Sequence, residues 1–135
     1  MISAVDSSII LDVLTADPSF ADASERLLRQ ASREGRLIIG ECVLAEIFPA
    51  LDKEADFKEF LTDWHLEFVP SSCESAVTAG RYFARYLSRD SKTNRVLPDF
   101  LIAAHALTHA DRLLARDRGY LRDYFTKLKV LCPNI

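Results

Sequence analysis

Four carboxylates stand where short apolar runs end or helices begin. Asp6 closes Ile2-Ser3-Ala4-Val5, and Asp117 closes Leu113-Leu114-Ala115-Arg116. Glu46 lies within Cys42-Val43-Leu44-Ala45-Glu46-Ile47, and Asp99 follows Pro98 and opens Phe100-Leu101-Ile102-Ala103-Ala104-His105-Ala106. A charge in apolar surroundings is costly unless something pairs with it. If the acids converge, the partner that suits them is a hard divalent cation, which takes oxygen ligands. Such a centre does metal-dependent chemistry on phosphates. Singly, each acid has a plainer role. Asp6 could cap a helix, Asp99 could complement a helix dipole, Asp117 could shape a turn with Gly119, and Glu46 could face solvent or pair with arginine. The set, two at strand ends and two on helices, argues for a site.

Basic residues form a second constellation. Arg81, Arg85 and Arg89 are spaced i, i+4, i+8 and share one helix face, and Lys92 and Arg95 carry the charge towards Asp99. The stripe could hold a phosphate backbone, with Tyr82 and Tyr86 beside it to stack on unpaired bases. The alternative is a solvated face with its aromatics in the core. Arg116 and Arg118 flank Asp117 and could neutralise the site or meet substrate. His105 and His109 have i, i+4 spacing but no zinc-protease motif and no nearby cysteine, so they read as helix residues.

The elements that must position these residues alternate between strand and helix. Ile2–Val5 reads as a short buried strand, and the chain turns helical from Ser7. Residues 19–34 carry a helical apolar period, and Gly35 stops that helix. Leu37-Ile38-Ile39 is a second strand, followed by helices over Glu41–Leu51 and roughly Glu54–Trp64. Leu66–Val69 is a third strand, closed by Pro70. A long helix capped by Ser72 or Ser75 runs to about Ser88. A basic loop over 89–97 leads to Pro98, which opens a helix to about His109. Leu113–Ala115 and Val130-Leu131 complete the set. Such alternation predicts an α/β fold with a short parallel sheet of about five strands flanked by helices. Right-handed crossovers then put ligands beyond the carboxyl ends of the strands, where Asp6 and Asp117 lie.

At 135 residues the chain is read as a single domain spanning 1–135. No apolar run is long enough for a membrane span, no secretory signal is read at the N-terminus, and three cysteines at unrelated spacings suit a reducing cytoplasm. The net charge of −3 hides an asymmetry: residues 1–75 carry 15 acidic and 6 basic side chains, residues 76–135 carry 5 and 11. Either a charged partner or an interleaving of the halves in space accounts for it.

The ordered set of motifs resembles one family. Val5-Asp6-Ser7-Ser8-Ile9-Ile10-Leu11-Asp12, Leu44-Ala45-Glu46-Ile47, Pro98-Asp99-Phe100-Leu101-Ile102-Ala103-Ala104-His105-Ala106 and Leu113-Leu114-Ala115-Arg116-Asp117-Arg118-Gly119-Tyr120 are similar to the four acidic motifs of PIN-domain nucleases. The compact size resembles VapC-type toxins of toxin–antitoxin pairs. Ala115 stands where that family has Thr or Ser, and Tyr120 where Phe is common. The resemblance implies a three-layer PIN-like fold and a cytoplasmic Mg²⁺-dependent endoribonuclease, with Mn²⁺ able to substitute. Asp6, Glu46, Asp99 and Asp117 would be its metal-binding and catalytic residues. Ser8 would orient a carboxylate or bound water, Ser7 would cap the helix, and Asp12 would lie at the surface. RNA would meet Arg81, Arg85, Arg89 and Arg118. A cognate antitoxin is implied, with Phe48, Ala50, Leu51, Phe57, Phe60, Leu61 and Trp64 as an apolar groove for a partner helix, together with a homodimer. The alternatives are a catalytically inactive PIN-like binding module, and a phosphate-handling α/β domain of phosphatase or response-regulator type.

Overall fold

The structure, a computed structural model, describes residues 1–89, 97–116 and 123–134. Five strands form one parallel sheet in the order β3-β2-β1-β4-β5: β1 (Ile2–Val5), β2 (Arg36–Ile39), β3 (Leu66–Phe68), β4 (Arg112–Leu114) and β5 (Val130–Leu131). Among the described residues six helices connect them: α1 (Ser7–Leu14), α2 (Ala21–Glu34), α3 (Glu41–Leu51), α4 (Glu54–Asp63), α5 (Cys73–Arg89) and α6 (Leu97–His109). The expected α/β architecture is therefore present, with boundaries within a few residues of those read from periodicity.

The three central strands are short and mostly apolar, as burial on both faces requires. Ala4, Val5, Ile38, Ile39, Leu113 and Leu114 are all buried. β1 is central and pairs with β2 on one side (Ala4 opposite Ile38) and β4 on the other (Ala4 opposite Leu113). From β1 the chain steps outward to β2 and β3, then returns past β1 to β4. Right-handed crossovers in opposite directions put their helices on opposite faces. Hence α1 to α4 cover one side, α5 and α6 pack together on the other, and strand order reverses between β1 and β4. Phe100 on α6 anchors the second layer in an aromatic cluster with Phe83, Tyr86, Tyr124 and Phe125.

One expectation changes. Asp12 is not at the surface: it is 1% exposed and bonded to Ser24 and Arg116. The charge halves also interleave, because β4 lies against β1. Arg112, itself buried, donates to Ser3 Oγ at 2.8 Å and to Glu34 Oε1 at 2.5 Å.

Gly35 ends α2 as expected, but for a different reason from the usual left-handed cap. Its φ of 162° is extended backbone. What demands glycine is close approach: a Cβ would lie 1.7 Å from the Met1 carbonyl oxygen, which accepts the Arg36 N–H at 3.0 Å. Gly35→Ala and Gly35→Asn should therefore destabilise alike, by about 1–3 kcal/mol in chemical denaturation. A left-handed position would spare Asn, so a clear advantage of Asn over Ala would refute the steric account.

Candidate active site

The site lies at the carboxyl ends of β1 and β4, where strand order reverses. Asp6 leaves β1 with its N–H donated to Leu114 O at 2.8 Å, so the sheet ladder fixes its backbone. It is also the N-cap of α1. Oδ2 accepts the Ser8 N–H at 3.2 Å and the Ser8 hydroxyl at 2.5 Å. Capping and site membership, posed as alternatives by the sequence, coexist here. The Ser8 Oγ also accepts the Arg116 N–H at 3.2 Å.

Glu46 comes from the middle of α3, which packs on α1. Its partner is a residue that sequence reasoning had assigned elsewhere: Ser7 Oγ donates to Glu46 Oε1 at 3.3 Å, while Asp6 does the capping. The Ser7-Ser8 pair after Asp6 was visible, but adjacent helix-start residues share capping propensity, and only the position of α3 distinguishes them. Asp99 sits in the first turn of α6, half-buried. Two of the acids act on the third. Loss of hydration raises the Glu46 carboxyl above its usual range, Asp6 and Asp99 push it the same way, and the Ser7 hydrogen bond opposes them. Asp117 and Arg118, with Lys92 and Arg95, lie outside the described residues.

Among the described residues no three His, Cys, Asp or Glu side chains form a ready-made metal cage. The donor set is nonetheless all oxygen, carboxylates with neighbouring hydroxyls, which fits Mg²⁺ or Mn²⁺. Mg²⁺ keeps several waters and binds through few carboxylates plus substrate phosphate oxygens.

Around this centre several readings are corrected. Tyr86 is buried in the aromatic cluster, and Tyr82 is half-buried against Phe125 with Arg85 over its ring. Tyr86 is therefore core and is not available to stack on bases. Arg81, Arg85 and Arg89 are exposed on α5, with Arg89 over Tyr124. His105 and His109 lie 5.0 Å apart, but each is engaged by the β3–α5 connection. His105 Nε2 is 2.6 Å from Val69 O, and His109 Nε2 accepts the Ser72 N–H at 3.3 Å. Burial lowers the His105 pKa. Of the apolar groove, Phe57 is core, and Phe48, Leu51, Phe60, Leu61 and Trp64 are half-buried against it.

The PIN domain family model matches residues 4–125. This chain belongs to the PIN domain family. That is a family of nucleases whose members generally use divalent metal ions. No curated protein matches this chain by sequence. Solved structures match its fold across nearly all of both chains. VapBC2 from Rickettsia felis, bound to a promoter DNA fragment, is similar at 19% identity and TM-score 0.77, covering 99% of this chain and 100% of that one. VapBC-1 from nontypeable Haemophilus influenzae is similar at 19% and 0.71, and FitAcB from Neisseria gonorrhoeae at 16% and 0.68, each covering 98% of both chains.

The electrostatics of the PIN site have a thermodynamic consequence. Because the folded chain raises the Glu46 pKa, it holds that proton more tightly than the unfolded chain. Stability is then lost as pH rises from the ordinary value of 4.5 through the folded one. Glu46→Gln should raise the metal-free Tm at neutral pH and leave it unchanged well below that range. A Tm lowered at neutral pH would show that Glu46 is favourably paired and that the acids do not crowd.

Proposed function

We propose that this PIN domain is a Mg²⁺-dependent endoribonuclease that hydrolyses RNA phosphodiester bonds, the cytoplasmic toxin of a type II toxin–antitoxin system. The observation that carries the reading is the adjacent pair Ser7 and Ser8, whose hydroxyls hold Glu46 and Asp6 side by side at the reversal point of the sheet. Asp6, Glu46 and Asp99, with Asp117, are the residues that would hold the ion. When bound, the ion supplies a polarised phosphate and a water acidified for attack on phosphorus. Ser8 holds the Asp6 carboxylate in one orientation and Ser7 holds Glu46. The β1 ladder and the first turn of α6 fix the backbones of Asp6 and Asp99.

The fold neighbours are toxin–antitoxin complexes, which supports a cognate antitoxin for this chain. The half-buried apolar residues of α3 and α4 suit its helix, and a homodimer belongs to the same reading. No helix among the described residues is long and apolar enough to cross a membrane. The alternative of an inactive binding module rests on Ala115, which is buried and offers no hydroxyl at the end of β4. The Ser8 hydroxyl, reaching both Asp6 and Arg116, supports an intact site instead.

Asp6→Asn changes charge with almost no change of shape. It should lower cleavage of single-stranded RNA by orders of magnitude while the protein stays folded, and EDTA should do the same to the wild type. Activity that survives either would overturn the mechanism.

RNA is expected along α5, on Arg81, Arg85 and Arg89. Arg85→Gln should weaken binding to all RNA sequences alike, with the slope of log affinity against log salt reduced by about 0.7. Unchanged RNA binding with lost assembly of chains would instead make this helix an interface.

A further inference from the structure

Arg116 leaves β4 and immediately precedes Asp117 in the sequence. Its guanidinium is held from two directions. Nη2 lies 2.5 Å from Asp12 Oδ1, and the guanidinium carbon lies 4.2 Å from the centroid of the Phe20 ring. Asp12 is itself immobilised, since it is 1% exposed and its other oxygen accepts the Ser24 hydroxyl at 2.8 Å. A carboxylate so far from water depends on its charged partner, so the pair fixes the chain where β4 ends.

That fixation reaches the acids. The Arg116 N–H donates to Ser8 Oγ at 3.2 Å, and Ser8 Oγ lies 2.5 Å from Asp6 Oδ2. A serine hydroxyl carries one proton. With an N–H directed at its lone pair, the hydroxyl turns that proton onto Asp6. We propose that Arg116 is a positioning residue for the metal centre: its side chain, locked on Asp12 and Phe20, holds the backbone N–H that sets the Ser8 hydroxyl on Asp6. The inference rests on the metal-nuclease reading above. The rival is a direct contact of Arg116 with substrate phosphate, since its side chain is 35% exposed. Against this, Nη2 is committed to Asp12, and Nε is enclosed without a hydrogen-bond partner among the described residues.

The test is Mn²⁺ binding to the full chain, followed by electron paramagnetic resonance, beside RNA kinetics at saturating Mn²⁺. Arg116→Lys keeps the charge but loses the planar fork and the ring stacking. It should weaken Mn²⁺ binding by roughly 10-fold or more, as loss of an outer-shell contact does. Ser8→Ala should do the same, and the double variant should be no worse than either single one, because both act on one path. The KM for RNA at saturating metal should stay within about 2-fold of wild type. If Arg116→Lys only lowers Tm and leaves Mn²⁺ affinity unchanged, the pair is structural and the proposal fails. It fails equally if KM rises and the salt slope drops by about 0.7, the signature of a lost phosphate contact. Should Arg116→Lys not fold, Asp12→Asn, which keeps shape and one hydrogen bond, is read by the same titration. Asp6→Asn separates the two levels. If it too leaves Mn²⁺ binding unchanged, the metal reading itself has fallen and not the relay alone.

Discussion

Carboxylates that repel one another can be kept together only by a backbone too stiff to move them apart. Here the stiffness comes from β1. It is paired on both sides, to β2 and to β4, and its last residue hands over directly to Asp6. The Asp6 N–H continues the ladder onto Leu114, so the first acid is set by the sheet and not by a loop. Glu46 and Asp99 arrive on helices packed against the same core, one on α3 and one in the first turn of α6. Moving the backbone of any of the three away would mean unpacking Ile47, or Phe100, or breaking the β1–β4 pairing. A cation that relieves the repulsion would return free energy to the fold by mass action.

What could be read from the sequence follows from the range of each interaction. Alternation of apolar runs with helical periods is local, so the strands, the helices and the parallel sheet were legible. So was the placement of Asp6, Glu46 and Asp99 at the ends of strands or within helices. Asp12 was not, because its position on α1 admits either face until Arg116, 104 residues away, arrives beside it. Ser7 took a different duty from the expected one for the same reason: a capping preference is local, but the choice between capping and facing α3 is not. Tyr86 reads as part of a basic stripe along α5, yet Phe100 and Tyr124 enclose it. Gly35 was marked correctly as a helix end, but the reason was the carbonyl of Met1, which lies far away in sequence.

The charge asymmetry between the two halves of the chain also has a spatial explanation, and it bears on where a polyanion can bind. Placing β4 against β1 brings the basic second half into the acidic first half. Arg112 meets Glu34 there and Arg116 meets Asp12. Those two arginines are engaged inside the protein, and their charge offers little to a partner. Arg81, Arg85 and Arg89 differ. They stand exposed on α5 and make no ion pair among the described residues. Arg85 and Arg89 rest on tyrosine rings instead. A cation on an aromatic face is positioned without being neutralised, so its charge remains directed outward. The same α5 packs against α6, the helix that begins beside Asp99. Among the described residues, the positive charge left open to a polyanion is therefore carried by α5 and not by the end of β4.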